Sequence, residues 1–123
     1  MDRKDVFDYV KRTYHIEPVY LFKSSPEAAV LRHRPGKNGK APQKWFAIVM
    51  RVSGARVGLG TEDEVDVLNV KADPELVAFL QAQDGFCPAY HMNKEHWISI
   101  LLDGPVGKEE ICSLLGGSYE LTK

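Results

Sequence analysis

The chain has 123 residues, of which 44% are hydrophobic and 27% charged, and its formal net charge is −1. That length fits one domain spanning 1–123 rather than two independent cores, and the composition argues against intrinsic disorder. No run approaches the roughly 18 apolar residues of a membrane span, and Met1-Asp2-Arg3-Lys4-Asp5-Val6 lacks the apolar stretch of a secretory signal, so the expected setting is cytoplasmic, with no membrane partner.

Asp2 is placed to cap a first helix running to Tyr14, in which Val6, Val10 and Tyr14 recur every four residues with Phe7 beside them. Glu17-Pro18 should end it. Val19 to Phe22 is apolar but of undecided form, and Ser24-Ser25-Pro26 reads as a turn. A first strand is expected from Ala29 to His33, then a polar loop, Pro35-Gly36-Lys37-Asn38-Gly39-Lys40-Ala41-Pro42. The second strand, Lys44 to Val52, is apolar on both faces from Trp45 to Met50 and belongs inside a sheet. Val65 to Ala72 is the third.

Asp73-Pro74-Glu75 combines a capping residue, a proline suited to the first helical position and a favourable charge. The helix it opens is expected to run to Gln83, turn Leu76, Val77, Phe79 and Leu80 inward, and stop near Gly85. Two strands should follow, near Ala89 to Met92 and from Trp97 to Leu102, joined through Asn93-Lys94-Glu95. A last helix covers Lys108 to Leu115, where Gly116-Gly117 should weaken or break it. The order α-β-β-β-α-β-β-α with short connections makes an α+β domain, an antiparallel sheet packed by helices.

Net charge hides an uneven distribution. No acidic residue lies between Glu27 and Glu62, an interval holding Arg32, Arg34, Lys37, Lys40, Lys44, Arg51 and Arg56, while the rest of the chain balances at −8. Such asymmetry predicts a basic face. The loop after the first strand is its natural centre: Arg32, His33 and Arg34 lead in and Lys37, Lys40 and Lys44 follow, so the hairpin tip could lie against phosphates as a wing. A solubilising loop is the competing reading. Trp45 could stack on a base or be buried in its strand.

The densest polar cluster is Tyr90-His91-Met92-Asn93-Lys94-Glu95-His96-Trp97. These groups could face a ligand, Asn93 and Lys94 meeting phosphate or base edges. Equally, Tyr90, Met92 and Trp97 could pack inward while the rest solvate. Cys87, His91 and His96 are zinc-ligand types, but their spacing matches no common site and a fourth ligand is not evident. Cys87 sits between Phe86 and Pro88, where a packed thiol is the plainer account than a nucleophile paired with imidazole, and with Cys112 it reads as a reduced, buried cysteine. No nucleophile elbow, phosphate loop or dinucleotide fingerprint occurs. The expectation is no catalysis, no metal and no cofactor.

Lys71-Ala72-Asp73-Pro74-Glu75-Leu76, then Pro88-Ala89-Tyr90-His91-Met92-Asn93-Lys94-Glu95-His96-Trp97, then Ser118-Tyr119-Glu120-Leu121 resemble, in order and spacing, the MmcQ/YjbR family of small bacterial proteins. The resemblance covers roughly Val30 to Leu121. It implies an α-β(3)-α-β(2)-α fold like that of secretion chaperones, and a DNA-binding role through two wings, here the Arg34–Lys44 hairpin and the turn at Asn93-Lys94. It brings no catalytic residues. Gly116-Gly117 and Gly104-Pro105-Val106-Gly107 depart from the family pattern around the last helix. The combined expectation is a monomeric DNA-binding protein with phosphate contacts from Arg32, Arg34, Lys37, Lys40, Lys44 and Lys94, and specificity from His91, Asn93 and His96. A protein-interaction or chaperone-like module is the alternative.

Overall fold

In the computed structural model, which describes residues 1–35 and 43–123, the first helix is α1 (Arg3–Tyr14). The Asp2 carboxylate accepts from the Asp5 N–H at 2.8 Å while Asp5 accepts from the Asp2 N–H at 3.0 Å. This reciprocal cap satisfies two backbone donors that have no partner within the helix. Val6 and Val10 are fully buried, as the four-residue repeat requires. The helix ends at Tyr14, ahead of Pro18, because His15 adopts the left-handed conformation (φ 59°) and its N–H bonds to the Lys11 carbonyl.

Five strands follow: β1 (Ala29–Arg32), β2 (Trp45–Ser53), β3 (Glu64–Lys71), β4 (Phe86–Pro88) and β5 (Trp97–Leu101). A 3-10 turn, Gly54–Val57, leaves β2, and helices α2 (Pro74–Leu80) and α3 (Lys108–Leu121) complete the chain. The sheet order is β1-β2-β3-β5-β4 with every neighbouring pair antiparallel. The two-sided apolar run of β2 is explained by its interior place. Ala29, Leu31, Ala47, Val49, Leu68, Val70, Ile98 and Ile100 join Val6, Val10, Ile111 and Leu115 in one core between sheet and helices. On the opposite face a single row crosses all five strands: Val30, Ile48, Asn69, Ser99 and Cys87.

One irregularity organises the C-terminal half. Leu31 pairs with Ala47 but Arg32 pairs with Trp45, so Phe46 is an extra residue in β2. Its ring enters the core beside Tyr14 (5.9 Å) and Tyr119 (5.2 Å). Its carbonyl accepts from the Ser118 hydroxyl at 2.5 Å, and the same hydroxyl accepts from the Lys71 N–H at 2.9 Å. Ser118 therefore ties α3 to two strands at once.

That anchoring corrects the expected break at Gly116-Gly117: α3 runs unbroken to Leu121. Beyond the glycines, Tyr119 stacks on Tyr14 at 4.2 Å and Ser118 holds the sheet, so packing overrides the weak helix propensity. Gly117 is exposed, and a Cβ there would meet nothing within 4 Å. Gly117→Ala should raise stability by about 0.5–1 kcal/mol, read as a higher urea midpoint.

Two other expectations are revised. Helix α2 stops at Leu80 rather than Gln83, and of the four residues expected inward only Val77 and Leu80 are buried; Phe79 is 62% and Leu76 41% exposed. Two turns of helix offer too narrow a stripe to bury all four. Asp73 occupies the cap position without a side-chain hydrogen bond. Strand β4 comes three residues early, at Phe86–Pro88, directly after Gly85, and residues 89–92 leave the sheet. Its proline, which cannot donate to a ladder, is tolerated because β4 is an edge strand.

His33, just past β1, lies against Phe46 and Tyr119, with Nε2 2.7 Å from the Thr122 hydroxyl. Burial lowers its pKa from the ordinary 6.5. Because the folded state resists protonation more than the unfolded chain does, this site costs nothing above about 6.5 and destabilises progressively as pH falls below it. The wild type should therefore lose more stability than His33→Gln between about pH 7.5 and 5, measured by urea titration; equal losses would remove His33 from the acid response.

Candidate nucleic-acid interface

With all pairs antiparallel, β1, β3 and β4 end where β2 and β5 begin. The end of β1 and the start of β2 therefore lie at the same end of the sheet as the 89–96 connection. At about 4.8 Å per strand, their axes are roughly 14 Å apart. Arg32 is half-buried, Arg34 and Lys44 are exposed, and none of the three forms an ion pair among the described residues. Lys37 and Lys40 fall outside the described residues.

The described cations of the acid-free interval do not share one face. Arg51, near the other end of β2, sits 3.2 Å from Asp66, which also receives Arg3 at 3.2 Å; this cluster ties α1 to β3. Arg56 lies on the 3-10 turn beyond β2. The free positive charge of the described interval is concentrated at the hairpin end.

The 89–96 connection is drawn back over the helix-free face of the sheet by two fully buried polar residues. The Ser99 hydroxyl donates to Asn69 Oδ1 and accepts from the Tyr90 N–H at 3.1 Å. Asn69 Nδ2 donates to the Tyr90 carbonyl at 3.2 Å and lies 3.6 Å from Met50 Sδ. Each buried polar group thus finds a partner, and the chain crosses towards β2. His91 then takes a left-handed conformation, φ 59°.

His91 and Met92 arrive opposite the segment before β1, enclosing an open cleft of about 330 Å³ with Phe22, Trp45, Ile48 and Met50. Phe22 and Trp45 meet edge to face at 5.9 Å. Trp45 pairs with Arg32, and directly opposed residues share a face, so Arg32 is on the cleft side of the sheet. Lys44 precedes Trp45 in the chain. Tyr20, Leu21 and Phe22 are all exposed, at 55%, 45% and 39%.

The other candidates of the loop separate. Asn93 builds the turn: its Oδ1 accepts from the Glu95 N–H at 2.9 Å and its carbonyl from the Trp97 N–H at 2.9 Å. Lys94 shares with Arg56 and Tyr90 a second groove, about 400 Å³ and open. The His96 side chain is exposed while its carbonyl accepts from the Ala72 N–H. His91 alone of the four reaches the Trp45 cleft. Cys87 is buried, its thiol donates to the Ser99 carbonyl at 3.8 Å, and burial pushes its pKa up, opposite to what a nucleophilic thiolate needs. Among the described residues no three metal-ligating side chains converge, and no helix is long and apolar enough to cross a membrane.

Sequence reasoning missed Phe22, Met50 and the Asn69–Ser99 pair. The last was detectable in principle, as isolated polar residues inside otherwise apolar strands.

The architecture is that of an α+β protein with one helix-covered and one loop-covered face on a five-stranded antiparallel sheet. The YjbR family model matches residues 11–121, and the chain belongs to this family. It is 38% identical to the uncharacterized protein YyaQ of Bacillus subtilis over 123 residues, covering 100% of this chain and 99% of that protein. It is 29% identical to the uncharacterized protein YjbR of Escherichia coli K12 over 89 residues, covering 71% and 75% of the two chains. Among solved structures, a Pseudomonas syringae protein superposes with TM-score 0.90 at 41% identity over the whole of both chains. A Deinococcus radiodurans protein superposes with TM-score 0.71 at 25% identity, covering 98% of this chain and 77% of that one.

Proposed function

We propose that the chain is a nucleic-acid-binding module, with DNA as the expected polymer, that works as a cytoplasmic monomer through the hairpin end of the sheet and makes or breaks no bond. The observation carrying this is the juxtaposition of Arg32, Arg34 and Lys44, without ion pairs among the described residues, and a cleft walled by Trp45, Phe22 and His91. Phosphate contacts supply affinity and stacking surfaces hold bases. With a net charge of −1, long-range attraction is weak, so binding depends on this local field.

Fluorescence anisotropy with a duplex of about 20 base pairs across a salt series is the direct test. Three phosphate contacts predict a log–log slope of about −3. Arg34→Glu with Lys44→Glu should weaken binding about tenfold or more at low salt, since each reversal removes a contact and adds repulsion. No binding at low salt, or an unchanged affinity in the double variant, would sink the proposal. A protein-binding module is the second reading, favoured specifically by the exposed Tyr20-Leu21-Phe22 run, whose Phe22 lines the cleft.

A further inference from the structure

We infer that the cleft between Phe22, Trp45 and His91 is a seat for an unpaired nucleobase, so that the protein prefers single-stranded to duplex nucleic acid. The inference rests on the nucleic-acid reading above and specifies its ligand. The helix-free face could have been closed by the returning 89–96 segment, as it is over Asn69 and Ser99. Beyond Tyr90, however, the chain leaves an open volume of about 330 Å³ over Ile48 and Met50, at the low end of the roughly 300–1,000 Å³ of small-ligand sites.

The chemistry of the walls selects the occupant. Two aromatic rings, one imidazole and the thioethers of Met50 and Met92 line the cleft. Such a soft, polarizable lining favours a flat aromatic ring, through stacking and sulfur–aromatic contact, over an aliphatic side chain. Polar side-chain groups are few: the His91 imidazole, the Trp45 indole N–H and the hydroxyls of Ser24 and Ser25, enough to meet a base edge without demanding one sequence. At the rim the charge is positive, with Arg32 beside Trp45 in the β1–β2 pairing and Lys44 next to it in the chain, while no acidic residue lines the cleft. A base inside and its phosphate at the rim satisfy both features. A base in a duplex presents only its groove edge and could not enter.

The test compares three labelled probes at one low salt concentration: a deoxythymidine 12-mer, the same backbone with abasic sugars throughout, and a 12-base-pair duplex. The thymidine strand should bind about tenfold more tightly than the abasic strand, which carries equal charge. Phe22→Ala, at an exposed position away from the core, should erase most of that difference. Trp45→Phe should erase part of it, and thermal melting of both variants checks folding. Equal affinity for all three probes would overturn the base seat while leaving phosphate binding intact. A base preference untouched by Phe22→Ala would overturn it by placing the bases elsewhere. Failure of every probe to bind would overturn this inference and the nucleic-acid reading together. Equal probe affinities with a concentration-dependent dimer lost in Phe22→Ala would give the cleft to a second copy of the chain instead.

Discussion

Replacing Ser118 by alanine is expected to lower stability by about 2–4 kcal/mol. The hydroxyl is fully buried, donates to the Phe46 carbonyl and accepts from the Lys71 N–H. Its removal leaves two backbone groups of adjacent strands without partners, in a place water does not reach, at about 1–3 kcal/mol each. The lost volume is small, so the effect is one of polar satisfaction rather than of packing. Ser118→Thr keeps the hydroxyl but adds a methyl, and should fall between alanine and wild type if the site can accommodate it. Equilibrium urea unfolding monitored by tryptophan fluorescence is the measurement. A loss below about 0.5 kcal/mol in Ser118→Ala would mean that water or a rotated neighbour takes over both bonds.

Gly85→Ala should be about as severe, costing about 2–4 kcal/mol. Gly85 has φ +90°, which disfavours any side chain, and a Cβ there would lie 2.6 Å from Val106 Cγ2 and 2.9 Å from Pro105 Cγ. Both neighbours are constrained: Val106 is part of the core and proline cannot rotate away. The Gly85 carbonyl also accepts from the Leu101 N–H at 2.8 Å, extending the β4–β5 pairing. Strain should therefore propagate into the edge strand and raise hydrogen exchange in Phe86 and Cys87 ahead of the rest of the sheet. The contrast with Gly117→Ala is the control. Two glycines exchanged for the same residue should move stability in opposite directions, because one position has a left-handed backbone and a filled neighbourhood and the other has neither.

Where local chemistry and tertiary demand agree, the sequence was readable. Asp2 caps α1 as expected, the Val6–Val10 spacing buries both valines, and the apolar run from Trp45 to Met50 lies in an interior strand. The chain order of helices and strands followed from turn residues and periodicity alone. Failures fell where distant residues decide. Nothing near Gly116-Gly117 announces that Ser118 is needed by a bulged strand 72 residues earlier. Nothing near Ala89 announces that Asn69 and Ser99 will pull residues 89–92 out of the sheet.

The candidate site was legible in composition and illegible in geometry. Arg32, Arg34 and Lys44 do sit together, but Arg51 is spent on Asp66 and Arg56 is placed beside Lys94. In the Tyr90–Trp97 block the polar residues divide their labour: Asn93 shapes the turn, whereas His91 enters the cleft. Phe22 escaped notice because an exposed aromatic in an irregular segment has no periodic signature. Its meaning comes only from Trp45, brought beside it by the sheet.

The Asn69–Ser99 pair has one more consequence, for how the sheet finds its alignment as it assembles. Around the pair, β3 and β5 carry apolar side chains on both faces, Leu68 and Val70 opposite Ile100 and Ile98 towards the core, and Val67 opposite Leu101 on the other side, where Trp97 also lies. The period-2 alternation of side chains forbids a slip of one residue but leaves a slip of two open. A slide of two residues would keep every side chain on its face but set Asn69 opposite Trp97 or Leu101 instead of Ser99. The amide would then be stranded among apolar groups, at about 1–3 kcal/mol. The two polar residues therefore act as an index mark, separating the native pairing from mispaired sheets that bury almost as much apolar surface.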